Sequence, residues 1–215
     1  MAIACELVQV APSLLIWQTY DPALKADLFS TAITTRNGSF LVDPIPLAHA
    51  ALAQLFNAGS VSGVIVTNSN HLRASADFAA RFSVPIFAHA ETFPDRALPG
   101  TKVRQSDGLV RRRIGDGGKI CDELTVIGIE GAAAGEIVLH SATNGGTLIT
   151  GDALINFEPY GFTFLPHKYC SNEKEMRRSL RKLLSRKAER MLFAHGSPIL
   201  FRAGERLQQL LDADL

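Results

Sequence analysis

Apolar and β-branched residues come in short runs divided by turn residues over the first part of the chain. Leu14 to Tyr20, Phe29 to Thr35 and Phe40 to Val42 read as strands, and Asn37-Gly38 supplies a hairpin turn between the last two. Asp43-Pro44 stops that meander, and the run of helix formers from His49 to Phe56 ends at Asn57-Ala58-Gly59. Val61 to Thr67 then reads as a buried strand, Ala74 to Phe82 as a helix and Pro85 to Ala88 as another strand, the rhythm of a sheet covered by helices.

The second half repeats the order. Leu109 to Ile114, Leu124 to Ile129, Glu136 to His140 and Thr147 to Thr150 are strand-like and separated by glycine-rich turns. Asn172 and Glu175 have the spacing of a capping box, and Met176, Leu180, Leu183 and Leu184 fall on one face of the helix that follows. Arg190 to Ala194 reads as a last strand, and Ser197-Pro198 has the chemistry to start a last helix. Two passages of sheet followed by helix predict an α/β (α+β) fold. Two mixed β-sheets would pack face to face with helices outside, a four-layer αββα sandwich. No linker-like segment interrupts the pattern, so residues 1–215 are expected to form one domain.

Composition narrows the possible functions. With 215 residues, 47% hydrophobic and 20% charged, the chain can bury a sizeable core. Lys plus Arg total 22 against 21 Asp plus Glu, a net charge of +1, so bulk charge does not recruit a polyanion and no nucleic-acid partner is expected. The chain has no long apolar run and no export-like start, so a cytoplasmic protein without membrane association is expected. Cys5, Cys121 and Cys170 form no C-x-x-C pair and argue against a disulfide framework or a cysteine zinc ribbon. Arg111-Arg112-Arg113 and the stretch from Ser171 to Arg190 are the basic runs, and the second fits the solvated face of an amphipathic helix.

Generic catalytic motifs fail. Arg113 stands where a phosphate-binding loop ending at Gly118-Lys119 needs its first glycine, and no G-x-S-x-G elbow occurs. Cys170 lies three residues after His167, a pairing that reads as packing rather than as an activated thiol. His49, His89 and His140 read as structural, and His167 as a loop residue.

Three strand ends carry more. Val64-Ile65-Val66-Thr67-Asn68-Ser69-Asn70-His71-Leu72-Arg73 is a strand, a loop and a helix start; Thr150-Gly151-Asp152 and Phe193-Ala194-His195-Gly196 end later strands. With Val42-Asp43-Pro44 and Gly135-Glu136-Ile137 also in order along the chain, the sequence resembles the metallo-β-lactamase superfamily in its glyoxalase-II-like hydrolase branch, over nearly the whole chain. The resemblance implies metal-dependent hydrolysis. The family's complete motif is T-H-x-H-x-D-H, then G-H-T, T-G-D and H-G, whose imidazoles and carboxylates hold two zinc ions and ionise a bound water.

Laid on that motif, five of seven ligand positions are substituted: Asn68, Asn70, Leu72, Arg73 and Ala132 stand where ligands belong, while Asp152 and His195 remain. Amides and alkyl groups are poor zinc ligands, and arginine is a permanent cation. The expectation is a cleft without a resident cofactor, in which Arg73 pairs with Asp152 and Asn68, Asn70 and His195 complete a polar network. The protein would then be a binding or regulatory homologue for an unidentified small molecule, and a homo-oligomer is compatible with the sequence. Two alternatives stay open. One is a hydrolase with a single zinc or other divalent ion on Asp152, His195 and a recruited His71; the other is a metal-independent reaction using Asp152, His195 and Arg73.

Overall fold

The computed structural model describes residues 2–57, 59–93 and 109–213. The first sheet takes β1 (Val8–Ala11), β2 (Leu14–Asp21), β3 (Ala26–Thr35), β4 (Gly38–Val42), β5 (Val61–Val66), β6 (Ile86–His89) and β7 (Arg111–Ile114), hydrogen-bonded in that order. Pairing is antiparallel through β4 and parallel from β4 to β7. Tight turns such as Asn37-Gly38 join antiparallel neighbours, whereas parallel ones need a crossover, here α1 (His49–Asn57) and α2 (Ser75–Phe82).

The second sheet collects β8 (Lys119–Cys121), β9 (Leu124–Gly128), β10 (Ile137–Ser141) and β11 (Thr147–Thr150). A separate hairpin, β12 (Leu154–Phe157) and β13 (Gly161–Phe164), leads to α3 (Glu173–Leu180). The chain then returns as β14 (Arg190–Phe193), parallel to β11, before α4 (Ala203–Asp212).

Alternation along the strands sorts the core into three layers. On β5, Ile65 faces the other sheet while Val64 and Val66 face the helices. Between the sheets, Ile16, Phe29, Phe40, Val42, Ile65 and Phe87 meet Leu124, Val126, Ile137, Leu139, Ile149 and Leu192. Outside the first sheet, Leu52 and Leu55 of α1 and Phe78 and Ala79 of α2 form a second cluster; outside the other, Met176 and Leu180 of α3 join Leu207 and Leu211 of α4 in a third. This is the expected four-layer sandwich. The cap of α3 also forms as read, with Asn172 Oδ1 accepting the Glu175 N–H at 3.2 Å.

The last helix starts later than Ser197-Pro198 suggests. Ile199 and Met191 exchange both main-chain hydrogen bonds at 2.8 Å, so the chain stays extended past the proline and turns helical at Ala203. Three basic residues of α3 and the turn after it are paired: Arg177 with Glu173, Arg181 with Asp212, and Lys182 with Glu130 and Asp116. No helix among the described residues is long and apolar enough to cross a membrane.

Candidate metal centre

The residues after β4, β5, β11 and β14 gather at one edge of the sandwich. Asp43, the first residue past β4, has a left-handed backbone (φ 47°), which a short polar side chain tolerates better than an aliphatic one. Its carboxylate accepts the Thr67 N–H at 2.8 Å and the Thr67 hydroxyl at 2.5 Å, tying the end of β4 to the end of β5. Beyond Thr67 the chain winds tightly, His71 N–H donating to the Asn68 carbonyl at 3.1 Å. That turn carries His71 inward, to 3% exposure.

The protonation of both cleft imidazoles follows from their neighbours. His71 Nδ1 is 2.9 Å from Asp43 Oδ2 and 2.9 Å from Thr67 Oγ1. Since the Thr67 hydroxyl proton goes to Asp43, Nδ1 is the donor, which leaves Nε2 facing Asp152 Oδ1 at 3.1 Å. His195 Nδ1 lies 3.1 Å from the Asp27 carbonyl, an acceptor only, so it too carries its proton there. Its Nε2 points at the same Asp152 Oδ1 from 3.4 Å. The three donor atoms lie within 4.8 Å of one another.

Charge in the cleft is strongly perturbed. Burial disfavours the His71 cation, but Asp152 and Asp43 outweigh it and carry its pKa to about 9. For His195, burial acts with the positive charge of His71 and lowers the value to about 4, so it is neutral at pH 7. Burial would also raise Asp152, yet His71 first, then His195 and Asn70, hold its carboxyl well below the usual range. Glu136, just before β10 and 3% exposed, is pushed up to about 8 by burial and by Asp152. Its oxygens accept from the Ala153 N–H at 3.0 Å and from Asn68 Nδ2 at 2.7 Å.

The expected Arg73–Asp152 pair is not formed. The Arg73 guanidinium donates to three main-chain carbonyls, Phe29 at 2.5 Å, Asp43 at 3.0 Å and Ala194 at 3.3 Å, and so links β3, the end of β4 and the end of β14. His71, two residues earlier, occupies the counter-ion place beside Asp152. Asn68 and Asn70 do reach Asp152 Oδ2, at 3.2 and 3.4 Å. Of the other two substituted positions, Leu72 is 42% exposed and Ala132 packs in the outer core with Met176. Asp43 and Glu136 were not singled out as site residues in the sequence. Cys170 packs against Met176 with its thiol pKa raised by burial, which suits a packing role.

The metal chemistry of the resemblance can be tested on these donors. A two-ion set does not fit, because Asn68, Asn70, Leu72, Arg73 and Ala132 supply neither an imidazole nor a carboxylate at five of the seven positions. One ion does fit. Donors about 2.0–2.1 Å from a tetrahedral zinc lie about 3.3–3.4 Å apart, against 3.1 and 3.4 Å from Asp152 Oδ1 to the two Nε2 atoms. Each imidazole also has its Nδ1–H held by a carboxylate or a carbonyl, the arrangement that orients metal-binding histidines.

Comparison with known proteins agrees with the fold. A search of curated proteins finds no match. The metallo-β-lactamase DIM-1 superposes with a TM-score of 0.69 at 16% identity, over 99% of this chain and 100% of that one. A metallo-β-lactamase family protein from Thermus thermophilus gives 0.65 at 21% identity, over 96% and 80%. A protein solved in a di-iron-bound form gives 0.59 at 20% identity, over 84% and 92%. These likenesses do not single out the glyoxalase-II-like branch. The family model described as the metallo-beta-lactamase superfamily matches residues 8–215, and the chain belongs to that superfamily.

Proposed function

We propose that this protein is a hydrolase of small molecules that works with one divalent metal ion held by His71, Asp152 and His195. The observation that carries this reading is the approach of the His195 Nε2 lone pair to Asp152 Oδ1 at 3.4 Å. With its proton on Nδ1 and its pKa near 4, His195 presents an acceptor to an acceptor, an arrangement that calls for a cation between them. A bound ion of this type supplies a Lewis acid and a water that ionises near neutral pH. The chain's own residues do the rest. Asp43 and the Asp27 carbonyl fix the two rings, Asn68 and Asn70 hold the far oxygen of Asp152, and exposed Asn70 lies at the rim with a side-chain amide available to a substrate.

Charge balance favours a second reading, the binding or regulatory homologue without metal. Cationic His71 and Arg73 offset Asp43 and Asp152, and burial together with Asp152 disfavours a further negative charge on Glu136. Elemental analysis of protein purified without chelator separates the two. One equivalent of zinc, iron or manganese, lost in His71→Ala and in His195→Ala, supports the hydrolase. No metal, and no zinc uptake on titration, supports the homologue.

A further inference from the structure

We propose that Glu136 is a positioning residue that acts through Asn68 to decide which oxygen of Asp152 faces the two imidazoles, an inference that rests on the single-ion reading only in treating Asp152 as a ligand. Glu136 is a carboxylic side chain at 3% exposure, in the loop that enters β10, and both of its oxygens accept from nitrogen donors. Burying such a group is costly unless its partners are fixed. They are fixed here: the main chain of Ala153 meets Oε1 at 3.0 Å and Asn68 Nδ2 meets Oε2 at 2.7 Å. A Cβ on Gly151 would come within 2.7 Å of Oε1, so the carboxyl is wedged against backbone as well.

Asn68 transmits this constraint. Its Oδ1 accepts the Asn70 N–H at 2.9 Å, which settles the orientation of the amide and leaves both Nδ2 hydrogens for acceptors. One goes to Glu136 Oε2 and the other to Asp152 Oδ2 at 3.2 Å, where Asn70 Nδ2 adds a contact at 3.4 Å. With Oδ2 held by two amides, Oδ1 is the oxygen turned toward His71 and His195. Without Glu136, the Asn68 Nδ2 group loses its shorter acceptor and is drawn less firmly toward Asp152, so Oδ2 is left chiefly to the longer Asn70 contact and the carboxylate turns more easily. A residue that only capped the Ala153 N–H would have no such effect.

Glu136→Gln tests this with almost no change in volume. A glutamine amide cannot accept at both ends, so its nitrogen must face either Ala153 N–H or Asn68 Nδ2. Asn68→Ser is the second variant, because it removes the relay while keeping the Glu136–Ala153 contact, and it carries the test if the buried substitution prevents folding. Crystal structures of chelator-treated wild type and variants are expected to show Asp152 Oδ1 withdrawn from at least one imidazole in each variant. Zinc Kd values from chelator competition are expected to weaken about tenfold in each single variant. The double variant should be no weaker than the poorer single one, because the two residues act in series. An unmoved Asp152, unchanged zinc affinity with a lowered Tm, or effects that add fully would overturn the proposal. Wild-type protein that takes no zinc while Asp152 moves in the variants would sink the single-ion reading and leave the positioning role standing.

Discussion

Arg73→Met is the most informative stability test, because it removes a partly buried cation that clamps three main-chain oxygens belonging to both sheets. Two of these keep another donor: the Asp43 carbonyl also accepts from Ser30 Oγ at 2.7 Å, and the Ala194 carbonyl from Phe29 N–H at 2.9 Å. Their loss is therefore modest. The Phe29 carbonyl loses its 2.5 Å charge-assisted bond, worth about 1.5–3 kcal/mol. Asp43 and Asp152 lose a nearby positive charge as well, and removing one partner of a buried charged set costs about 3–5 kcal/mol. Burial disfavours the guanidinium itself, which offsets part of this, so a net loss of about 3 kcal/mol is expected. For a chain of this size that lowers Tm by roughly 6–12 °C. Thermal and urea denaturation of chelator-treated protein at pH 7 measure it, with Arg73→Lys as a comparison that keeps the charge and gives up the planar fork. The lysine variant should recover less than half of the loss. A methionine variant as stable as wild type would show that the clamp contributes nothing, and a lysine variant equal to wild type would show that charge, not the three carbonyl bonds, is what matters.

The pH dependence of stability has a defined sign. His71, raised from about 6.5 to about 9, contributes stability that is fully present below 6.5 and lost as pH rises through 9; Glu136, raised from 4.5 to about 8, also keeps a proton that the unfolded chain gives up, so its stabilising effect falls over that range. His195, lowered to about 4, acts oppositely between 4 and 6.5. The stability of chelator-treated protein should therefore be nearly flat from about 4.5 to 6.5, where Glu136 and His195 oppose each other, drop on the acid side as Asp152 takes up its proton, and fall by up to about 1.4 kcal/mol per pH unit for each proton from 6.5 to 8, read as a falling Tm; a rise from 6.5 to 8 contradicts it. Gly151→Ala should cost about 1–3 kcal/mol in urea denaturation, since the added Cβ would sit 2.6 Å from Thr67 Oγ1 and 2.7 Å from Glu136 Oε1; an unchanged midpoint would mean that the cluster yields freely.

What the sequence disclosed and what it hid divide along a physical line. Strand alternation, the Asn37-Gly38 turn and the Asn172 cap are local signals, and each survives into the fold because it needs only its own neighbours. Asp152 and His195 were legible because each follows a strand of the second sheet, where backbone direction fixes side-chain direction. His71 was harder to place. On a strand adjacent side chains point apart, but residues 68–71 form a turn closed by the His71 N–H to Asn68 carbonyl bond, and there the adjacent Asn70 and His71 both reach Asp152. Arg73 suggests itself in the sequence as the partner of Asp152, because a cation and an anion both fall at the cleft. Its left-handed backbone (φ 38°) and three carbonyl partners belong to tertiary structure that no spacing encodes. Asp43 and Glu136 did leave a trace, since each is an acid at the end of an apolar run, Leu41-Val42 and Ile137-Val138-Leu139, that is itself wholly buried. A carboxylate so placed cannot reach water without breaking the strand, so it must find donors inside. The buried acids that flank a ligand are thus as informative as the ligand: the carboxylate of Asp43 aims His71, and that of Glu136 holds the amide next to Asp152.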